Sequence, residues 1–161
     1  MKFIVKQVDL RVQANQTVLL YLQKKCLPAD VPYDTTSGHW WVAYTETDIP
    51  IGFAGLTRSK SWYDCGYLCR AGVLEAYTGH GLQKKLIAVR ERKAKSLNWN
   101  WLITDTTANP ASSNSLINAG FKLYEPTIPW AYKNSLYWRK RILRSGSYAL
   151  QRSRKAKAKA S

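Results

Sequence analysis

Residues 71–83 read AGVLEAYTGHGLQ, an apolar run that breaks into a polar corner and a Gly-x-Gly before the amphipathic stretch KKLIAVRERKAKSL begins. The pattern predicts a strand, a glycine-bearing turn and a helix start. Such a turn presents main-chain N–H groups that have no partner within the helix, and these, with the positive helix end, bind phosphate oxygens. A ligand carrying phosphate is therefore the first expectation.

Working outward, the helix expected from residue 82 sets apolar Leu82, Leu86, Ile87, Val89, Ala94 and Leu97 against charged Lys84, Lys85, Glu91, Arg92 and Lys95. That is the pattern of a surface helix lying on a sheet. Residues 101–106 read as a strand, 111–118 as a short helix ended by Gly120, and 121–124 and 136–143 as two late strands around a loop with Pro126, Pro129, Trp130 and Tyr132. On the N-terminal side, 2–8 reads as a strand and 15–25 as a helix, with Val18, Leu19, Leu22 and Cys26 at helical spacing. A loop over 27–38 leads to strands 39–45 and 51–58, joined through TDIP as a hairpin, and to one further strand over 64–74. The order β-α-β-β-β-α-β-α-β-β predicts a mixed α/β sheet in one domain, residues 1–143, without internal repeats. Residues 144–161 read as a basic, flexible tail.

With 161 residues, 45% of them hydrophobic, and with seven Trp, ten Tyr and three Phe, the chain is long enough to bury a core. Nothing near the start resembles a signal peptide and no segment approaches membrane-spanning length, so a soluble cytoplasmic protein is expected. The three cysteines, Cys26, Cys65 and Cys69, form no disulfide pattern. Cys65 and Cys69 are expected on one face of a strand, as buried thiols. With only His39 and His80 beside them, no metal site is expected. The net charge is +15, of which six Lys and Arg fall after residue 143 with no acid among them, and the remaining nineteen against ten acids leave +9. Such a field draws anions: cofactor phosphates, nucleic acid or an acidic macromolecule.

The element order, with VLEAYTGHGLQKKL after the fourth strand and NPASSNSLINAGF after the fifth, resembles the GNAT superfamily of N-acetyltransferases over residues 2–143. That family's phosphate loop is Arg/Gln-x-x-Gly-x-Gly/Ala. Here Thr78 holds its first position, Gly81 its fourth and Gln83 its sixth, so two signature positions depart from it. The resemblance implies that Ala71, Gly72 and Val73 pair with the pantetheine arm of acetyl-CoA, and that Thr78, Gly79, His80, Gly81, Leu82 and Gln83 hold its pyrophosphate. It also implies that Asn109 and Ser112, in the second motif ending at Gly120–Phe121, contact the pantetheine or neighbouring backbone. A tyrosine acid is usual seven residues beyond that asparagine, where this chain has Leu116. A glutamate base, known in the ribosomal-protein acetyltransferases, falls at Thr104.

Acetyl transfer to a protonated amine needs a base, donors for the oxyanion and a proton for the thiolate. Asp105, Glu75, Asp64 and Glu46 are candidate bases, and Tyr124, Tyr132 and Tyr67 candidate acids. The expected pair is Asp105 with Tyr124, with Val73 N–H as oxyanion donor. Strand alternation points Asp105 to the face opposite Thr104, and Arg70 is expected to pair with it across the sheet. His39 is a candidate for the acceptor site. The resemblance implies a primary amine as acceptor, and the basic surface would fit one presented by an acidic macromolecule. A nucleic-acid base modifier of the phage Mom type and a non-catalytic GNAT-like binding module are the alternatives, and monomer or homodimer stays open.

Overall fold

The computed structural model describes residues 1–143. The basic tail expected over 144–161 lies outside the described residues.

Strand β1 (Phe3–Gln7) leads into helix α1 (Gln13–Cys26), whose Leu19 and Leu22 are buried against Trp40, Val42 and Phe53. Strands β2 (His39–Thr45) and β3 (Pro50–Arg58) follow as the expected hairpin. Trp40, Trp41, Val42 and Ala43 in succession are buried, because β2 and β3 are central strands covered on both faces. Fully burying a side chain such as Val42 or Phe53 contributes about 1.5–3 kcal/mol.

The single strand expected over 64–74 is two short ones, β4 (Cys65–Tyr67) and β5 (Ala71–Val73). Both pair with β3, but Thr57 faces Tyr67 whereas Ala54 faces Ala71, so three steps along β3 match four along its partner. The extra residue is a β-bulge over 68–70, and it bends the chain. Cys69 therefore lies beyond the strand that holds Cys65 and not on one face with it. Both thiols are buried.

A 3-10 turn (Glu75–Tyr77) precedes α2 (Leu82–Ser96), then come β6 (Trp101–Thr106), α3 (Pro110–Asn118), β7 (Lys122–Leu123) and β8 (Leu136–Arg141). Among the described residues the strand order is β1-β2-β3-β4-β6-β8-β7, with β5 also on β3, and only β4 and β6 pair in parallel. Helix α1 packs on β3 and β5 from one side. From the other, α2 and α3 bury Leu86, Ile87 and Leu116 with Leu102 and Trp138. Gly72 lies directly beneath α1: a Cβ there would sit 2.5 Å from that of Cys26, so only glycine lets the helix approach the strand this closely.

Candidate active site

The bulge opens the sheet. Leu68 N–H donates to Ile103 O at 3.0 Å, and Thr104 Oγ1 donates to Leu68 O at 2.8 Å. Past this clasp β5 stays with β3 while β6 stays with β8, and a groove of about 560 Å³ fills the fork. Ala71 walls one side and Asp105 and Thr106 the other, with Gln83 and Ile87 contributed by α2 and Asn109 and Ser112 by the start of α3.

Among the described residues the edge of β5 facing this fork has no strand partner. In an antiparallel ladder alternate residues direct their N–H and C=O groups to the neighbouring strand. Arg70 O accepts from Gly55 N–H at 2.7 Å and Leu74 N–H donates to Ile51 O at 2.8 Å. Ala71 and Val73, out of phase with these, direct their main-chain groups into the fork.

Gly79 and Gly81 take the left-handed conformation at φ 81° and 76°, and Gly81 immediately precedes the first turn of α2. A side chain at either glycine would meet nothing within 4 Å, so the surface above the helix end is open. Thr78 Oγ1 donates to Glu75 O at 2.9 Å, holding the corner, and His80 is exposed with its ring against Phe3. Leu82 is buried, whereas Lys84 and Lys85 are exposed on the first turn. Asn109 caps α3, its Oδ1 accepting from Ser112 N–H at 3.1 Å with Pro110 at the first helical position.

Asp105 carries the one carboxylate on the β6 wall of the groove. Its Oδ1 accepts from the Tyr67 hydroxyl at 2.6 Å and from Trp130 Nε1 at 3.2 Å, and Oδ2 has no hydrogen-bond partner among the described residues. Alternation does turn it away from Thr104, whose hydroxyl is committed to Leu68 O. The groove is open to both faces at the fork, so Asp105 lines it all the same. Burial, and after it the Asp105 charge, push the Tyr67 hydroxyl above the usual phenol range.

These placements alter several expectations. Arg70 pairs with Asp30 at 2.5 Å and lies over the Tyr33 ring, tying the 27–38 loop to the groove, and does not reach Asp105. Tyr124 lines a second cavity, stacked on Trp62, and not the groove with Asp105. Tyr67 and Tyr132 do line the groove. Glu75 and Glu46 are exposed on turns, Asp64 accepts from the Asn100 side-chain amide, and His39 lies against Gln7, all outside the groove lining.

A model described as the acetyltransferase (GNAT) family matches residues 13–121, which include both walls of the fork and the loop before α2. The chain belongs to that family. Solved structures share the GNAT fold. The ribosomal-protein-S18-alanine N-acetyltransferase from Escherichia coli is 11% identical, with a TM-score of 0.70 over 89% of this chain and 96% of that one. An acetyltransferase from Salmonella typhimurium, solved with its cofactor acetyl-CoA, is 14% identical, with a TM-score of 0.67 over 89% and 96%. A chain of the NatC complex bound to Gag peptide and CoA is 19% identical, with a TM-score of 0.68 over 89% and 100%. Comparison with curated protein sequences finds no match.

This GNAT acetyltransferase has an unusual residue that the sequence reading passed over. Arg90 is 3% exposed, on the buried face of α2 between Leu86 and Ala94, and it lines the groove. Its Nε donates to Leu86 O at 3.0 Å and Nη1 to Gly55 O at 3.3 Å, with no carboxylate in ion-pair range among the described residues. Burial lowers its pKa to about 10, so it is still a cation at neutral pH. The signal was present in the stripe 82, 86, 90, 94, where an arginine occupies a core position of the helix. Leu116 is buried among core side chains and offers no proton. Among the described residues no three His, Cys, Asp or Glu side chains cluster as a metal site requires, and no helix is long and apolar enough to cross a membrane.

Proposed function

We propose that this acetyltransferase binds acetyl-CoA in the fork between β5 and β6 and transfers the acetyl group to a primary amine carried by a macromolecule. The observation that carries the reading is the unpaired edge of β5 beside the open N-terminus of α2. The residues present fit this co-substrate. Ala71 and Val73 offer main-chain groups to an amide-bearing arm, the N–H groups from Gly79 to Gln83 suit a pyrophosphate, and Lys84 and Lys85 add charge beside them. Gln83, bulkier than the family's usual residue there, itself lines the groove. Asn109 and Ser112 serve by capping the helix that forms the far rim.

Bound acetyl-CoA supplies an activated acyl group with a good leaving group. What the chain adds is position and the handling of protons and charge. With Oδ1 held by Tyr67 and Trp130, Asp105 has Oδ2 available to take the proton of an incoming ammonium. Val73 N–H is the donor for a carbonyl oxygen that gains charge in the fork. Arg90, a buried cation in the groove wall, favours negative charge developing beside it, and Tyr132 takes the proton-donor role expected of Tyr124.

Calorimetric titration with acetyl-CoA, followed by CoA-release assays on amines, peptides and oligonucleotides, tests this reading. Binding and amine-dependent release are expected. No acetyl-CoA binding would overturn it in favour of a non-catalytic module.

A further inference from the structure

One half of the sheet has a face covered by loop side chains, Trp62 against Trp101 and Trp130 against Tyr137, and not by a helix. In the β6–β8 register Trp101 lies opposite Arg141, Ile103 opposite Arg139 and Asp105 opposite Tyr137, and cross-strand partners share a face. Lys122 of β7 joins them opposite Arg139. The reverse face carries Leu102 and Trp138, packed under α2 and α3. Helix α1 sits on β3 and β5, so among the described residues no helix covers the face with Trp101 and Arg139.

Rings and arginines interleave there. The Arg139 guanidinium lies 4.9 Å from the Tyr124 ring, 5.5 Å from Trp101 and 6.0 Å from Trp62. Arg141 lies 5.7 Å from Trp101. No carboxylate pairs with Arg139 among the described residues. Beside it is the second cavity, of about 240 Å³, with Trp62, Tyr124 and Trp130 against Pro126 and Ile128 and a single acid, Glu125, at its wall. Trp130 also lines the main groove, where it bonds Asp105.

We propose that this face binds single-stranded nucleic acid, with a base held in the cavity between Trp62, Tyr124 and Trp130 and phosphates on Arg139 and Lys122. Planar rings alternating with guanidinium groups suit bases and phosphates at once, and a flat-walled cavity takes one unstacked heterocycle. An acidic peptide would satisfy the charges and leave the rings without a ligand. The strand would run past Trp130 to Asp105, so an amine on the nucleic acid would arrive at the carboxylate; that last step rests on the acetyl-transfer reading, whereas binding does not.

The test uses the full chain, an oligothymidylate of about 12 nucleotides as probe, polyglutamate as the competing polyanion, and tryptophan fluorescence as readout. The oligonucleotide is expected to quench fluorescence, and Arg139→Gln and the exposed Lys122→Gln are each expected to weaken its binding about threefold or more. Both variants should bind acetyl-CoA as the parent does, which reports that they are folded. Unchanged oligonucleotide affinity in both variants would overturn the proposal, and so would polyglutamate bound equally tightly and weakened equally by both. Oligonucleotide binding is measured without acetyl-CoA, so a parent chain that binds the strand and not acetyl-CoA would sink the transferase reading and leave this one standing.

Discussion

The Tyr67 hydroxyl donates to Asp105 Oδ1 across 2.6 Å, bridging β4 and β6 where the fork opens. Because burial and the neighbouring carboxylate keep that hydroxyl protonated, Tyr67 is a fixed donor, and it orients Asp105 without competing for its proton. Trp130 approaches the same oxygen from the loop before β8, so a residue distant in sequence completes the setting.

Asp105→Asn is expected to lower kcat by about 10²–10⁴ while acetyl-CoA affinity stays near that of the parent, since an amide keeps the acceptor for Tyr67 and loses the base. CoA release at saturating acetyl-CoA measures the first and calorimetry the second. Parent-like kcat would remove Asp105 from the chemistry.

Gly81→Asp places a carboxylate beside the pyrophosphate and a side chain at φ 76°. The left-handed strain costs about 1 kcal/mol, shared by Gly81→Ala, and the space around the glycine is open, so both variants should fold. Acetyl-CoA affinity should fall at least tenfold more for Gly81→Asp than for Gly81→Ala. Equal affinities would show that no phosphate sits at this turn.

Arg90→Met replaces a buried, carboxylate-free guanidinium by an apolar chain of similar length. Removing a desolvated charge is expected to raise unfolding free energy by about 1–4 kcal/mol in urea titrations, while kcat falls. A variant both less stable and fully active would mean that Arg90 serves the fold alone through Leu86 O and Gly55 O.

Alkaline stability follows from the thiols. Burial pushes Cys26 and Cys69 up to about 11, and burial with Asp64 pushes Cys65 to about 12, from an ordinary value of 9.0. The folded chain therefore holds these protons more tightly than the unfolded one. Their contribution is intact below pH 9.0 and is lost as pH rises through 11 to 12. Unfolding free energy from urea titrations should change little between pH 7 and 9 on this account and fall by pH 10.5, with a smaller fall in Cys65→Ala. No fall between pH 9 and 10.5 would place the thiols in contact with water.

Much of the fold was legible because its period is local. The turn at Gly79–Gly81 and the helix after it follow from two glycines and an apolar stripe, and the cap at Asn109–Pro110 from residue types that favour helix starts. The bulge over 68–70 was not legible. LCR reads as part of one continuous strand, and only the pairing of β3 with both halves shows the added residue. The same limit explains Arg70: its partner Asp30 lies forty residues away on a loop without periodicity.

By itself the sequence determined the order of elements apart from the division of residues 64–74 into two strands, the glycine turn at the start of α2 and the absence of the usual acid at Leu116, all of which depend on neighbours within a few residues. The tertiary structure alone decided which side chains share the groove. Asp105 was the expected base among four candidate carboxylates, and the convergence of Tyr67 and Trp130 on it is set by the fold. Tyr124 left the groove for a stacked arrangement with Trp62, and Arg90 emerged as a buried cation. The physical reason is that a fork made by a one-residue bulge, and the side chains that meet in it, are set by pairing between distant strands, which no local spacing encodes.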